Sequence, residues 1–195
     1  MTTVTESEKV SRVVPKRFRV EDFRKMTEAG ILPEESGWEI IDGYLIDKMS
    51  IGSKHASTVK RLDEILRDQL GKTVNVSVQN PIHLDEYNEP EPDIALLKRR
   101  SDFYAESHPL AQDVLLLIEV SDSTVEYDRN IKKTLYAEAG ITEFWIVNLP
   151  DKTVECFSSP KNGNYRLARI LEKGEAVEST AVEDLKLSVE EILGL

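Results

Sequence analysis

The most apolar segment of this chain, residues 114–120, constrains the fold most, because a single carboxylate, Glu119, interrupts it. A short run rich in Val, Leu and Ile predicts a strand, whose side chains alternate between two faces. Leu115, Leu117 and Glu119 are therefore predicted to share one face. Burying an isolated charge costs its hydration. Either a cation lies beside Glu119, or the strand ends where water can reach it.

A second carboxylate, Asp93, stands between Pro92 and another apolar run, residues 94–97. Proline restricts the residue before it to extended conformations, so this segment predicts a second strand. Two acidic side chains on neighbouring strands supply the oxygen ligands that Mg²⁺ prefers. Taken singly, each has a simpler interpretation: Asp93 as a turn or cap residue, and Glu119 as a cap for the following loop.

Apolar periodicity assigns most of the chain to helices and strands. Spacings of three and four predict a long helix over 53–70 and shorter helices over 18–29, 123–139 and 187–193. Alternation predicts strands over 73–84, 93–97, 114–120 and 144–149, a hairpin over 38–46 that turns at Asp42-Gly43, and a closing hairpin of 153–158 and 165–171 across 160–164. This mixed order predicts an α/β (α+β) fold, with one mixed sheet and helices on both faces.

Composition narrows the class of protein. The net charge of −11 argues against a general polyanion-binding surface, so DNA binding would need the basic clusters at 98–100 and at Arg129 with 132–133 on one face. The lone Cys156 excludes an internal disulfide and predicts a cytoplasmic protein. No apolar run approaches the ~20 residues of a membrane helix. We expect a flexible arm over 1–17 and one domain over 18–195.

The helix predicted after the 114–120 strand carries the third candidate residue. Ser123 and Glu126 fit a capping box at its start. Asp128 and Lys132 are four apart, on one helix face, and Lys132 could reach back to Glu119. An ammonium beside two carboxylates can orient a water or stabilise charge on a phosphate. The simpler alternative is a surface Asp128–Lys132 pair worth ~0.2–0.5 kcal/mol.

Two segments resemble one known family. The sequences EPEPDIALL and LLLIEVSDSTVEYDRNIKKTLYAEAGITEFWIV are similar to the Uma-two family, a restriction-endonuclease-like group formerly described as a domain of unknown function, within the PD-(D/E)XK nuclease superfamily. The resemblance covers roughly residues 18 to 190. It implies a restriction-endonuclease-like mixed sheet of four core strands flanked by helices.

The resemblance also implies roles for single residues. Asp93 would be the carboxylate of the PD motif, and Glu119 the second acidic metal ligand. The superfamily pattern expects a lysine two positions after the second acidic residue, but Ser121 stands there. The resemblance to this family implies that the lysine lies instead on the next helix, at Lys132. Further site positions are implied by similarity or by spacing. They are Glu39, a candidate third metal ligand, Gln79, Asp128, and His55, which as a lone histidine more often starts or packs a helix than catalyses.

Together these features predict a metal-dependent endonuclease that hydrolyses DNA phosphodiester bonds. Asp93, Glu119 and Lys132 would be catalytic, with Mg²⁺ or Mn²⁺ as cofactor, DNA as partner and a homodimer as the assembly. Two alternatives stay open at this point. One is a non-catalytic binding or regulatory module on a nuclease-like scaffold, and the other is a metal-dependent hydrolase of a small phosphate or nucleotide.

Overall fold

The structure, a computed structural model, describes residues 15–32, 37–48 and 52–195. Most of the predicted arm, residues 1–14, lies outside these ranges. In chain order the elements are α1 Val20–Glu28, β1 Trp38–Ile41, β2 Tyr44–Asp47, α2 Ser53–Leu70, β3 Val74–Val78, β4 Ile94–Lys98, a 3₁₀ turn Ala111–Asp113, β5 Val114–Ser121, α3 Val125–Tyr127, a π-helical segment Asp128–Lys132, α4 Lys133–Glu138, β6 Glu143–Asn148, β7 Thr153–Lys161, β8 Asn164–Leu171, β9 Ala176–Glu178, β10 Lys186–Ser188 and α5 Val189–Leu193.

A six-stranded sheet with the order β3-β4-β5-β6-β7-β8 forms the centre of the fold. The pair β5–β6 is parallel, and every other neighbouring pair is antiparallel. One core packs α2 and α5 against one face of the sheet, and a second packs α4 against the other. The predicted mixed sheet with helices on both faces is therefore confirmed. No helix within the described ranges is long and apolar enough to cross a membrane.

Local sequence signals place several elements as predicted. The helix α2 spans its predicted range, and its buried stripe of Val59, Leu62, Leu66 and Leu70 follows helical spacing. The first hairpin turns at Asp42 and Gly43, which both have positive φ, as a two-residue hairpin turn requires. The other predicted helices and hairpins are present with shifted ends.

The predicted strand over 73–84 is wrong beyond Val78. Gln79 has a φ of 51°, a left-handed conformation that turns the chain away from the sheet, and Pro81 follows it. The backbone N–H of Gln79 then donates to the carbonyl of Asp93 at 3.1 Å. This early end matters because it brings the Gln79 side chain to the start of β4.

The predicted face of Leu115, Leu117 and Glu119 is also wrong in part. Leu97 pairs with Val114 instead of Leu115, because a register shift interrupts the β4–β5 ladder. Leu115 consequently packs against the α2 side of the sheet, whereas Leu117 is buried on the α4 side. A bulge of this kind inserts one residue and reverses the alternation beyond it.

Three boundary predictions need correction. The helix after β5 begins at Val125 without the Ser123–Glu126 capping box, since its N-cap residue is Thr124. The closing hairpin turns tightly at Asn162 and Gly163, both with positive φ, so residue 160 belongs to β7. The predicted helix over 187–193 is split, because Lys186–Ser188 pairs with β9 and Ser188 caps α5.

Candidate active site

Glu119 lies on β5 with only 4% of its surface exposed, and a cation lies beside it. Lys132 donates through Nζ to Glu119 Oε1 at 2.9 Å, and the hydroxyl of Tyr136 donates to the same oxygen at 2.7 Å. Burial raises the pKa of Glu119 to about 7, with the negative charge of Asp93 adding to the effect and Lys132 opposing it. Two possibilities were predicted for this carboxylate, a neighbouring cation or a strand end open to water. The structure shows the neighbouring cation, Lys132.

Asp93 precedes β4 and contacts Glu119 across the ladder. The backbone N–H of Asp93 donates to Glu119 Oε2 at 3.3 Å, and the N–H of Val120 donates to Asp93 Oδ2 at 2.9 Å. His55 Nε2 lies 2.9 Å from Oδ2, and Gln79 Nε2 donates to Oδ1 at 3.2 Å. Burial alone would raise the pKa of Asp93, but His55 and the hydrogen bonds lower it below its ordinary value. Asp93 is therefore held as a carboxylate.

Lys132 is 4% exposed and lies between two carboxylates. Its Nζ is 2.9 Å from Glu119 Oε1 and 3.2 Å from Glu39 Oε2. Burial by itself would lower the pKa of this ammonium, but Glu119 and Glu39 outweigh burial and raise the pKa well above its ordinary value. Glu39 also accepts the backbone N–H of Glu91 at 3.1 Å. This arrangement favours Glu39 as the counter-ion of the lysine over its predicted role as a third metal ligand.

The helical segment that carries Lys132 is wound as a π-helix over Asp128–Lys132. Such segments occur often at functional sites. Asp128 is buried and accepts from the hydroxyls of Ser121 at 2.7 Å and Thr124 at 2.9 Å. The surface Asp128–Lys132 pair, given above as the simpler alternative, is therefore wrong. Asp128 links the start of the helix to the end of β5 through these hydrogen bonds, while Lys132 contacts Glu119.

One cavity of about 450 Å³ gathers every residue that the sequence singled out for the site. Its walls include Glu39, His55, Gln79, Asp93, Glu119, Asp128 and Lys132. Six carboxylates line it against two lysines, Lys48 and Lys132, so its charge is strongly negative. The structure brings these side chains together, and their chemical roles stay predictions.

A divalent cation fits the chemistry of these donors. Among the residues that the structure describes, no group of three or more His, Cys, Asp or Glu side chains is placed so that it could hold a metal ion by itself. Asp93 and Glu119 provide two adjacent carboxylates, and Mg²⁺ commonly binds through one or two carboxylates while keeping several waters. Of the four carboxylate oxygens, Glu119 Oε2 receives only one long hydrogen bond, from the N–H of Asp93. That oxygen is the most available ligand.

Two tyrosines of the site were missed by the sequence reasoning. Tyr136 follows Lys132 by four residues, and this spacing could have indicated that both reach Glu119. Tyr127 lines the cavity, and burial raises its pKa to about 12, so its hydroxyl remains a proton donor at neutral pH. Within the described part of the chain, the Tyr127 hydroxyl and His55 Nδ1 are buried and have no hydrogen-bond partner. Both residues line the cavity.

Removing the hydroxyl of Tyr136 tests whether its hydrogen bond to Glu119 stabilises the fold. We expect Tyr136→Phe to destabilise the fold by about 1.5–3 kcal/mol, because a buried charge-assisted hydrogen bond is lost. For a chain of this size the midpoint Tm should fall by about 3–12 °C. Thermal unfolding measures this, with Tyr44→Phe on the exposed face of β2 as the control. Equal midpoints for the two variants would contradict a stabilising role for the hydrogen bond from Tyr136 to Glu119.

The basic clusters do not combine into one free patch. Arg129 donates to the buried carboxylate of Glu155 and to Glu126, and Lys133 lies over the ring of Phe157. The predicted DNA contact through Arg129 and Lys133 is therefore not supported, because their charges are engaged within the fold. Residues 98–100 are considered separately below.

Comparison with known proteins adds two findings. A family model described as Uma2, putative restriction endonuclease, matches residues 20–190. The fold is similar to the crystal structure of a putative nuclease belonging to DUF820 from Anabaena variabilis ATCC 29413, with a TM-score of 0.67 and 16% sequence identity, covering 87% of this chain and 97% of that chain. No curated protein matches significantly. The structural likeness concerns the fold.

Proposed function

The chain belongs to the Uma2 family, described as putative restriction endonuclease, and from this premise we propose that its acidic cavity is the active site of a metal-dependent nuclease that hydrolyses DNA phosphodiester bonds. The observation that carries the proposal is the convergence of Asp93, Glu119 and Lys132 on one cavity. Three buried charged side chains from separate parts of the chain are costly to assemble. Such a cost is typical of a functional site.

Asp93 and Glu119 would hold the cation, with Mg²⁺ or Mn²⁺ as candidates because oxygen ligands serve both. A divalent ion bound there lowers the pKa of a coordinated water and neutralises charge on the scissile phosphate. His55 and Gln79 each bond a different oxygen of Asp93, so they fix the orientation of that carboxylate. Supports of this kind are as important to a metal site as its ligands.

Lys132 contributes a permanent positive charge near the reacting phosphate. Its ammonium is held on two sides by Glu119 and Glu39, which leaves its third N–H for a water or a phosphate oxygen. A preorganised donor in a buried site stabilises the charge that develops in the transition state. The lysine therefore takes the role that the superfamily pattern would assign to the position of Ser121.

The direct experiment incubates the full chain with plasmid and linear DNA, with Mg²⁺, with Mn²⁺ and with a chelator. We expect cleavage only with a metal. Hydrolysis of free nucleotides but not of DNA would identify a small-phosphate hydrolase instead. Metal binding without hydrolysis of either would identify a binding module. The proposed homodimer, which would present one cavity to each DNA strand, is tested by sedimentation equilibrium.

Metal binding also has a readout that is independent of activity. At 100 times its Kd, Mg²⁺ should add ~2.7 kcal/mol of stability and raise Tm by about 5–11 °C. Because the folded-state pKa of Glu119, about 7, exceeds its ordinary value, the stability tied to its proton is lost as pH rises through 7. The metal-free protein should thus be less stable at pH 8 than at pH 6. The stability gained from Mg²⁺ should be larger at pH 8 than at pH 6. A gain independent of pH would contradict the assignment of Glu119.

A further inference from the structure

A second groove, of about 390 Å³, follows the edge strand β3 and differs sharply in charge from the acidic cavity. Its lining combines amide, aromatic and apolar side chains, among them Asn75, Asn80, Phe103 and His108, with the guanidinium of Arg67, which is paired with Asp63. No carboxylate from the described ranges lines it, in a chain whose net charge is −11. We call this feature the β3 groove. Its composition suits a ligand that carries negative charge and planar groups.

Phe103 is the most exposed aromatic ring at the groove, with 67% of its surface accessible. Phe103 and Tyr104 have φ values of 52° and 62°, a left-handed conformation that is unfavourable for bulky residues. The turn is held rigid because Tyr104 is buried and its hydroxyl donates to the carbonyl of Lys98 at 2.8 Å. Strained backbone of this kind tends to occur at functional positions. Here the strain presents an aromatic ring to solvent.

Two cations near this turn, Lys98 and Arg99, have no carboxylate partner among the described residues. The guanidinium of Arg99 lies over the Phe103 ring at 4.7 Å and donates to the amide oxygen of Asn75. Lys98, whose carbonyl accepts from the hydroxyl of Tyr104, is exposed at the end of β4. Arg100, by contrast, is paired with Asp102. Among the described residues, Lys98 and Arg99 therefore keep their charge available to a ligand.

The β3 groove leads toward the acidic cavity. Gln79 lines the cavity, whereas its neighbours Val78 and Asn80 line the groove. Strand β4 connects the two ends, because Asp93 precedes it at the cavity, and Lys98, at its other end, accepts from Tyr104 beside Phe103 in the chain. A rise of 3.3–3.4 Å per residue places Lys98 about 17 Å from Asp93. A flexible chain that leaves the cavity along the sheet edge would meet Phe103 and Arg99.

We propose that the β3 groove binds a single-stranded DNA segment that continues from the acidic cavity, with an unstacked base on Phe103 and phosphates on Lys98 and Arg99. The ligand class rests on the proposed nuclease function. Aromatic rings beside cations are the elements that bind single strands, because every base has a face to stack. A duplex keeps its bases stacked and offers none to Phe103.

Binding tests the proposal in the Asp93→Asn background, where the DNA stays intact. We expect Phe103→Ala to weaken the binding of a fluorescein-labelled oligothymidylate by roughly 5- to 150-fold, the range for loss of one stacked base. The control is Ile170→Ala, since Ile170 is 63% exposed on β8, at the opposite edge of the sheet. Arg99→Gln should reduce the slope of log K against log salt by about 0.7, with Arg169→Gln on β8 as its control.

A second measurement covers the case in which Phe103→Ala disturbs the fold. Phe103→Trp keeps an aromatic ring, so an oligothymidylate should quench its added fluorescence, and Ile170→Trp should stay unquenched. The quenching should require a single-stranded end and be absent with a blunt duplex. Absence of quenching in Phe103→Trp would overturn the proposal, as would equal affinity of the Phe103→Ala and Ile170→Ala proteins for the oligonucleotide.

These outcomes separate the groove from the proposed function. If the groove proposal fails alone, the protein with Asp93 intact still cleaves DNA with a metal, and Phe103→Ala leaves KM unchanged. If the nuclease proposal fails alone, single strands bind through Phe103 but no metal supports cleavage. If both hold, Phe103→Ala raises KM for substrates with single-stranded ends and changes kcat little. A protein partner at this surface would appear as unchanged DNA affinity.

Discussion

Asp93→Asn is expected to reduce metal-dependent DNA cleavage by at least about 10³-fold, because the metal contributes several kcal/mol of transition-state stabilisation and Asp93 is one of its two proposed carboxylate ligands. Asparagine keeps the size of the side chain and one oxygen, so the N–H of Val120 retains an acceptor. The rise in Tm with Mg²⁺ should disappear in the same variant. Initial rates on supercoiled plasmid and thermal unfolding with and without Mg²⁺ measure the two effects.

The matched control for this variant is Asp68→Asn, an exposed carboxylate on α2 far along the helix from His55. It changes the net charge equally and should leave both the rate and the Mg²⁺ effect as they are. If Asp93→Asn cleaves DNA at the rate of the unmodified chain, then Asp93 has no part in the mechanism. If cleavage is lost but Mg²⁺ still raises Tm, then residues other than Asp93 bind the metal.

Lys132→Met is expected to destabilise the protein by about 3–5 kcal/mol, since it leaves Glu119 and Glu39 as buried carboxylates without their shared cation. For a chain of this length that is a fall in Tm of about 6–20 °C. Methionine fills most of the volume of the lysine, so packing contributes little to the loss. Urea unfolding at pH 8, where Glu119 is ionised, should show the largest effect.

A double variant separates charge from packing at this position. Adding Glu119→Gln to Lys132→Met removes one uncompensated carboxylate, and we expect it to recover part of the lost stability while leaving the protein inactive. Lys60→Met on the exposed face of α2 is the matched control and should change stability little. If the double variant is no more stable than Lys132→Met, the ion pair is not the source of the effect.

The two proposed roles of Lys132, structural and catalytic, predict different signatures. As a counter-ion it controls stability and the pKa of Glu119. As a donor to the phosphate it controls kcat more than metal affinity, so the Mg²⁺ concentration at half-maximal stabilisation should change less than the rate. A collapse of metal binding in Lys132→Met, measured below its Tm, would restrict the lysine to a structural role.

Much of the fold could be predicted because local patterns control it. The stripe of α2 and the Asp42-Gly43 turn follow from side-chain periodicity and from the backbone conformations that those residues tolerate. Errors occurred where a single residue overrides a pattern. The left-handed Gln79 ended a strand that alternation would have extended, and the bulge near Leu115 reversed a predicted face.

The sequence by itself determined which carboxylates stand at strand ends, Asp93 and Glu119, and that a lysine one helix later could approach them. Only the tertiary structure decided the partners: that Lys132 pairs with Glu119 and Glu39 instead of Asp128, and that Tyr136 completes the set. The physical reason is that periodicity reports which face a side chain occupies. Pairing among buried charges depends on segments distant in sequence, and on a π-helical winding and a bulge that no local pattern indicated.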